Sequence, residues 1–400
     1  MFFQIILATL IGILFGTITG LTPGIHINLI SVLILSLSPV LSTYIPLLYL
    51  TVIIISMAIT HTFLDTIPSI FLGAPDEETV LSVLPGHRML LQGKGYEAVM
   101  LTVVGSLASL ILILVLFPLF SPLIQIIYPF LKEYIGYILI AIVTLLILRE
   151  HTSKIRAFFI FFIAGILGLT TLNLVNLNEP LFPLLSGLFG ISLLVTSINQ
   201  KTKIPKQIIS SPEIDMKLGF KATITSVFAG SVCSFMPGLG PSQAAIFGSQ
   251  FVKDLGDKGF LILVGGLNTV NIALSLLTLY VLDKARNGAI LTISRILEVY
   301  NQNHLILFIG CALVAAGIAT ILATKITKVF SKLITKVNYT LVCLSIILLI
   351  TVLVTIISGF LGLLVLTVAT FVGMLPSLKG VGKNHLMGCL LLPVIMYFLL

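Results

Sequence analysis

GLTPGIHINLI, Gly20 to Ile30, sets Pro-Gly, a histidine and an asparagine in the middle of one of the most apolar openings a chain can have. Residues 2–19 before it carry no charge, so they read as a first membrane helix. Neither a basic n-region nor an A-x-A cleavage site is present, which argues against a signal peptide. Lipid offers no hydrogen bonds, so unwound backbone at that depth must be buried in protein or line a wet cavity. Pro23 removes a donor and ends the preceding helix, and Gly24 admits the backbone angles of a turn. A second stretch, FMPGLGPSQAAI from Phe235 to Ile246, repeats the pattern in the other half of the chain.

The composition agrees with that reading. Of 400 residues 58% are hydrophobic and only 9% charged, with a mean hydropathy of +1.19. Soluble domains carry about 25% charged residues, so this chain could not maintain a water-facing exterior. Runs such as Ala98–Phe117, Ile135–Leu148, Ala157–Val175, Leu305–Ala323, Tyr339–Ile357 and His385–Leu400 approach or reach the ~20 residues of a bilayer crossing. The fold class expected is an all-α polytopic membrane protein. The formal charge of +8 falls in membrane-flanking clusters rather than on one coherent face, so nucleic acid is not an expected partner. Cys233, Cys311, Cys343 and Cys389 stand singly in apolar segments and read as packing residues.

The halves echo one another. After the first Pro-Gly comes FLDTIP (Phe63–Pro68), and after the second GLNTVN (Gly266–Asn271), each with an acid or amide followed by Thr. Each half then carries an amphipathic, Arg-containing stretch, Leu84–Val99 and Ile290–Asn303, and ends in simple spans. Loop charges swap between the halves. REHTSKIR (Arg149–Arg156) is basic, but its counterpart near Ser358–Gly362 is uncharged; Asn173–Pro180 holds only Glu179, whereas Leu378–Lys383 has two lysines; KITKVFSKLITK (Lys325–Lys336) is basic opposite the nearly neutral Pro118–Tyr134. The positive-inside rule then orients the halves oppositely. The expected organisation is two inverted-topology repeats with broken or re-entrant helices at the Pro-Gly loops. Residues 1–198 and 221–400 form the repeats, and 199–220 a lysine-rich cytoplasmic linker.

Inverted repeats are a build of secondary transporters, with the site near the midplane at broken helices. A helix N-terminus presents free N–H groups and partial positive charge, which suits an anion. The expected substrate-binding residues are Thr22, Pro23, Gly24 and Asn28 in the first half. In the second they are Pro237, Gly238, Gly240, Pro241, Ser242 and Gln243. Asp65 is the only acid between Met1 and Ala74, and an ionisable residue at such depth is a functional candidate by default. Asp65, Thr62 and Thr66, with Asn268, Thr269 and Asn271, are expected to couple transport to Na⁺ or H⁺. Asp65, Asn268 and Asn271 would be the Na⁺ ligands. A structural alternative for Asp65 is helix capping near the interface. His26 and His61 could titrate with a proton, and GAPDEE (Gly73–Glu78) reads as a capped helix start. The ladder Gly12, Gly16, Gly20 is a close-packing face.

No G-x-x-x-x-G-K-[ST], Rossmann fingerprint or H-E-x-x-H occurs, so neither an ATP-driven step nor an enzyme is expected, and no cofactor beyond the coupling ion. Together GLTPGIHINLI, FLGAPDEETVLSVLPGHRMLLQGKGYEAV and FMPGLGPSQAAI resemble the large permease subunit of the tripartite tricarboxylate transporters, the TctA family. Pro85-Gly86-His87-Arg88-Met89, Gly95 and Ala98 match part of its central motif, with Pro85 where the family usually has an acid. The resemblance implies ion-gradient-driven symport of di- or tricarboxylates across the cell membrane of a bacterium or archaeon. It also implies a small membrane subunit and an extracytoplasmic binding protein. A polyprenyl-phosphate lipid carrier of related architecture is the alternative, and the reading admits a homodimer.

Overall fold

The computed structural model describes residues 2–22, 27–73, 83–150, 152–199, 204–235, 240–252, 255–285, 287–297, 299–334 and 339–399. Every regular element among the described residues is helical, and eight helices are long and apolar enough to cross a bilayer. The chain is therefore a multi-pass membrane protein. In the first half α1 spans Phe2–Leu21, α2 Ile27–Leu41, α3 Leu47–Leu64, α4 Thr66–Leu72, α5 Val83–Leu91, α6 Gly95–Leu148 and α7 Lys154–Leu172. α8 (Leu181–Leu185) then passes through a π-helical turn, Ser186–Ile191, into α9 (Ser192–Asn199). In the second half α10 is Met216–Phe235, α11 Pro241–Phe251, α12 Gly256–Leu282, α13 Gly288–Ile296, α14 Gln302–Leu333 and α15 Tyr339–Lys379. A 3-10 turn at Lys383–Met387 leads to α16, Gly388–Leu399.

Small residues set the helix packing. A Cβ on Gly12 would lie 2.5 Å from the Ile53 carbonyl oxygen, on Gly16 2.5 Å from that of Met57, and on Gly20 2.9 Å from Leu64 Cβ. The ladder is thus the face α1 lays on α3. Numbers rise together along both helices, so α1 and α3 run parallel, and Tyr49 Oη donates to Gln4 Oε1 at their common start (2.7 Å). α2 accordingly runs back toward the face where α1 began. The second half also holds a parallel pair of helices. Leu218 sits where a Cβ on Gly259 would go, Ser226 Oγ donates to the Leu263 carbonyl (3.1 Å) and Ser234 Oγ to Asn271 Oδ1 (3.4 Å). α10 and α12 are parallel, and α11 returns with Gly248 beside Thr225 and Ala229.

α6 crosses α12 at contact too close for side chains: a Cβ on Gly105 would overlap the Ile262 carbonyl oxygen, and one on Gly265 that of Thr102. α14 packs correspondingly on α3. α12 begins at the face where α5 ends and α6 begins, since Arg88 pairs with Asp257 (3.0 Å) and Lys258 with Glu97 (2.6 Å). α3 ends toward that face, so α3 and α12 are antiparallel. The same face gathers Arg149, bonded to Gln250, and Arg156, bonded to the Lys379 carbonyl. It is the basic face of the molecule.

Three details differ from the sequence expectation or refine it. The run 135–148 falls within α6, both ends of which reach the basic face, and its apolar part Gly136–Leu148, like Lys383–Leu399, is shorter than a full span. The uncharged turn expected near 358–362 is a break at Gly359, whose φ of 66° separates helical residues 339–358 from 360–379; glycine adopts that angle without a Cβ penalty. The linker, expected only to connect, is strapped down. Gln207 is buried, accepts from Gly95 N (2.8 Å) and donates to the carbonyls of Leu90 (3.0 Å) and Pro205 (2.8 Å), while Ile208 N donates to Gly93 O.

Candidate functional site

Asp65 lies between α3 and α4 at the centre of the bundle. Pro68 has no N–H to offer the Leu64 carbonyl four residues back, so the helical ladder lapses there. The Asp65 backbone stays right-handed helical, and its side chain makes no cap hydrogen bond. Capping near an interface is therefore not its role: it is 2% exposed. Oδ2 accepts a 2.7 Å hydrogen bond from Asn268 Nδ2 on α12, and Asn268 is wholly enclosed.

Around this pair lie buried hydroxyls. Thr62 Oγ1 is 3.2 Å from Thr269 Oγ1. Thr62 Oγ1 also donates to the Ile59 carbonyl (2.9 Å) and Thr269 Oγ1 to the Gly265 carbonyl (3.4 Å). Thr66 Oγ1 is 3.0 Å from Thr102 Oγ1, which in turn donates to Val99 O. Asn268 Oδ1 is buried with no hydrogen-bond partner among the described residues, a position that costs about 1–3 kcal/mol unless something meets it. One turn before Asp65, His61 Nδ1 is 3.1 Å from Thr19 Oγ1 of α1.

Four of the six residues expected to couple an ion thus meet directly across α3 and α12: Asp65 with Asn268, and Thr62 with Thr269. Thr66 turns instead to α6, and Asn271 to Ser234 near the end of α10. Thr102 and Ser234 were missed. Their signal, isolated hydroxyls in apolar runs, is shared by many threonines and serines whose protons only return to the carbonyl four residues back, as Thr9, Thr223 and Thr278 do. Among the described residues no three His, Cys, Asp or Glu side chains gather as a metal cluster would require.

Described residues that flank the two Pro-Gly stretches lie beside this network. Pro23, Gly24 and His26, and likewise Pro237 and Gly238, lie outside the described residues, as do the side chains of Asn28 and Gln243 and residues 74–78 of GAPDEE. The flanking residues are placed. A Cβ on Gly20 would lie 3.3 Å from Asp65 N, so α1 ends at the depth of Asp65. Thr22 closes α1, its hydroxyl donating to Ile18 O (2.8 Å). α10 ends beside Asn271. Pro241 is the first residue of α11, where a missing N–H costs nothing. Ser242 beside it is buried, and Gly240 accepts from Ala244 N (3.1 Å).

A family model described as the tripartite tricarboxylate transporter TctA family matches residues 6–388. Uncharacterized protein MJ1079 of Methanocaldococcus jannaschii is 32% identical over 407 residues, covering 98% of this chain and 99% of its own. No solved structure matches. With a family match over nearly the whole chain and a full-length relative above 30% identity, this chain belongs to the tripartite tricarboxylate transporter TctA family.

Proposed function

We propose that the chain is an ion-gradient-driven carrier of di- or tricarboxylates. In this reading the anion is held between the helix starts after the two Pro-Gly loops, and the coupling ion sits at Asp65. The family membership supplies the substrate class. The observation that carries the mechanism is the buried Asp65–Asn268 pair, set where α1 and α10 end. A carboxylate, the partnerless Asn268 Oδ1 and the Thr62 and Thr269 hydroxyls offer oxygen ligands to Na⁺ or a seat for H⁺. A helix start leaves N–H groups without an intrahelical partner and favours an anion by roughly 0.3–2 kcal/mol per helix, which supports this reading for α2 and α11.

The two halves are inverted repeats in this reading. Parallel α1–α3 and α10–α12, the returning α2 and α11, and antiparallel α3 and α12 all support it. Rocking one half against the other would then expose the site to either side, with the basic face cytoplasmic. A small membrane subunit and an extracytoplasmic binding protein would complete the assembly in the cell membrane.

Substrate uptake into vesicles tests the reading. Asp65→Asn, which removes charge but little volume, should abolish dependence on the Na⁺ or proton gradient while the protein still folds. Gly24→Val and Gly238→Val should stop uptake while expression persists. A thermal-stability screen of citrate, shorter carboxylates and a short-chain polyprenyl phosphate identifies the ligand class. Unchanged gradient dependence in Asp65→Asn removes that residue from coupling, and stabilisation only by the polyprenyl phosphate replaces the carboxylate reading with the lipid one.

A further inference from the structure

A second place in the molecule is built for negative charge, away from the Asp65 network. On the basic face a cleft of about 1120 Å3 opens between the halves. α5 and the α6–α7 turn line it from the first half, and α11, the start of α12 and residues 382–384 from the second. Among the described residues six charged side chains line it: Arg88, Arg149, Glu150, Lys154, Asp257 and Lys383.

The two acids are already committed. Asp257 takes Arg88 Nη1 on both oxygens, at 3.0 and 3.2 Å. Glu150 gives Oε1 to Thr152 N (3.1 Å) and Oε2 to His385 Nε2 (2.9 Å) and Gly382 N (3.3 Å). Arg149 donates only to neutral oxygens of Gln250. Lys383 Nζ is buried and has no hydrogen-bond partner among the described residues. An ammonium withdrawn from water without a counter-charge is costly, so this cleft has an unmet need for an anion. Arg149 and Lys154 add two cations that no described carboxylate neutralises.

We propose that this cleft is a second binding site for a small multivalent oxyanion, a polycarboxylate or phosphate, anchored by Lys383 with Arg149 and Lys154 at its rim. The cleft lies just above the ~300–1,000 Å3 usual for small-molecule sites, so a hydrated citrate fits. Both halves supply its walls, so an anion bound there bridges parts that a rocking carrier would move. Burial lowers the Lys383 pKa to about 8. The other titratable groups around it are His87 of α5, which burial holds neutral near 4 despite its Ile70 backbone bond, Glu150 and His385, already paired, and Arg149, Lys154, Arg88 and Asp257. An anion favours the charged lysine, so binding should be strongest below pH 8 and weaken as pH rises through it.

The test is calorimetric titration of the purified full chain in zwitterionic nanodiscs with citrate, phosphate and acetate at one ionic strength. Two citrate events are expected if both this site and the mid-bundle site bind. Gly238→Val should remove one, and Lys383→Met the other, weakening it at least tenfold, while melting curves show that both variants fold. Lys383→Arg should retain binding but lose the fall above pH 8. Phosphate binding that is lost in Lys383→Met while citrate binding is absent would make the ligand a phosphate. Citrate and acetate binding alike, or unchanged affinity of every event in Lys383→Met, overturns the site. Loss of only the event removed by Gly238→Val, with the Lys383-dependent event intact, leaves this site standing and isolates the fault in the mid-bundle reading.

Discussion

The α3–α4 run and α12 are spans of nearly equal length, 26 and 27 residues, and the two most enclosed spans among the described residues, with 83% and 94% of their apolar stretches buried against 22% for α15. They differ where they touch. α3 stops at Asp65, while α12 runs unbroken through Asn268. One side offers a carboxylate and the other a carboxamide, 2.7 Å apart. Two carboxylates at that distance could not both ionise, and two amides would hold no charge. The mixed pair instead sets one ionisable group beside a fixed hydrogen-bond donor. Position alone did not make the two helices equivalent; chemistry at one contact separates them.

The sharpest way to break this contrast is to exchange it. Under the proposed coupling, Asp65→Asn alone should lower gradient-driven uptake on the order of 100-fold, about 2.7 kcal/mol. Asn268→Asp alone should make uptake steeply pH-dependent, because one of the two acids must hold a proton. The double exchange, Asp65→Asn with Asn268→Asp, returns a single charge to the contact, and vesicle uptake should recover most of its activity. A double variant as inactive as Asp65→Asn would show that the break in α3, not the shared charge, is what matters.

The packing beneath the pair gives the next largest effect. Gly265→Val at the α6–α12 crossing meets the Thr102 backbone, which cannot step aside, so thermal melts should show a loss of roughly 1–3 kcal/mol or more. Gly20→Ala on α1 meets Leu64 Cβ at 2.9 Å and the His61 carbonyl at 3.1 Å, and should cost less. Equal losses would mean that the α6–α12 crossing is looser than its glycines indicate.

Farther out the effects shrink. Gln207→Ala strands Gly95 N and leaves Leu90 O with only its Gly93 N donor, and should lower the melting midpoint by the equivalent of about 1–2 kcal/mol while exposing the linker to protease. Last is an acid-limb effect at Glu150. Burial alone would raise its pKa, but Thr152 N, His385 and Gly382 N hold the carboxyl down to about 2 from an ordinary 4.5. A depressed carboxyl contributes stability that is fully present above about 4.5 and lost as pH falls toward 2. Glu150→Gln should therefore flatten the melting profile between those values, its difference from the parent being largest at neutral pH and vanishing toward pH 2.

Much of the central pair is legible in the amino-acid sequence. An acid and an asparagine in uncharged runs stand out because lipid tolerates neither without a partner, and each is followed by Thr. The hydroxyls that complete the network are not legible there, because Thr102 and Ser234 have the same local appearance as threonines that only bond back along their own helix. Lys383 is visible as a loop charge, but its burial is not, nor is the commitment of Glu150 and Asp257 to other groups.

The sequence by itself determined that the chain is a bundle of membrane helices, with prolines that disfavour unbroken helix and with basic charge in its loops. Those follow from hydropathy, from proline's missing N–H and from loop charge, all of which act within a few residues. Only the tertiary structure decided which groups share a depth: Asp65 with Asn268, Thr66 with Thr102, Gln207 with the α5–α6 turn, and Lys383 with a cleft between the halves. Hydrogen bonds and ion pairs reach about 3–4 Å, and no local pattern records which distant segment comes that close.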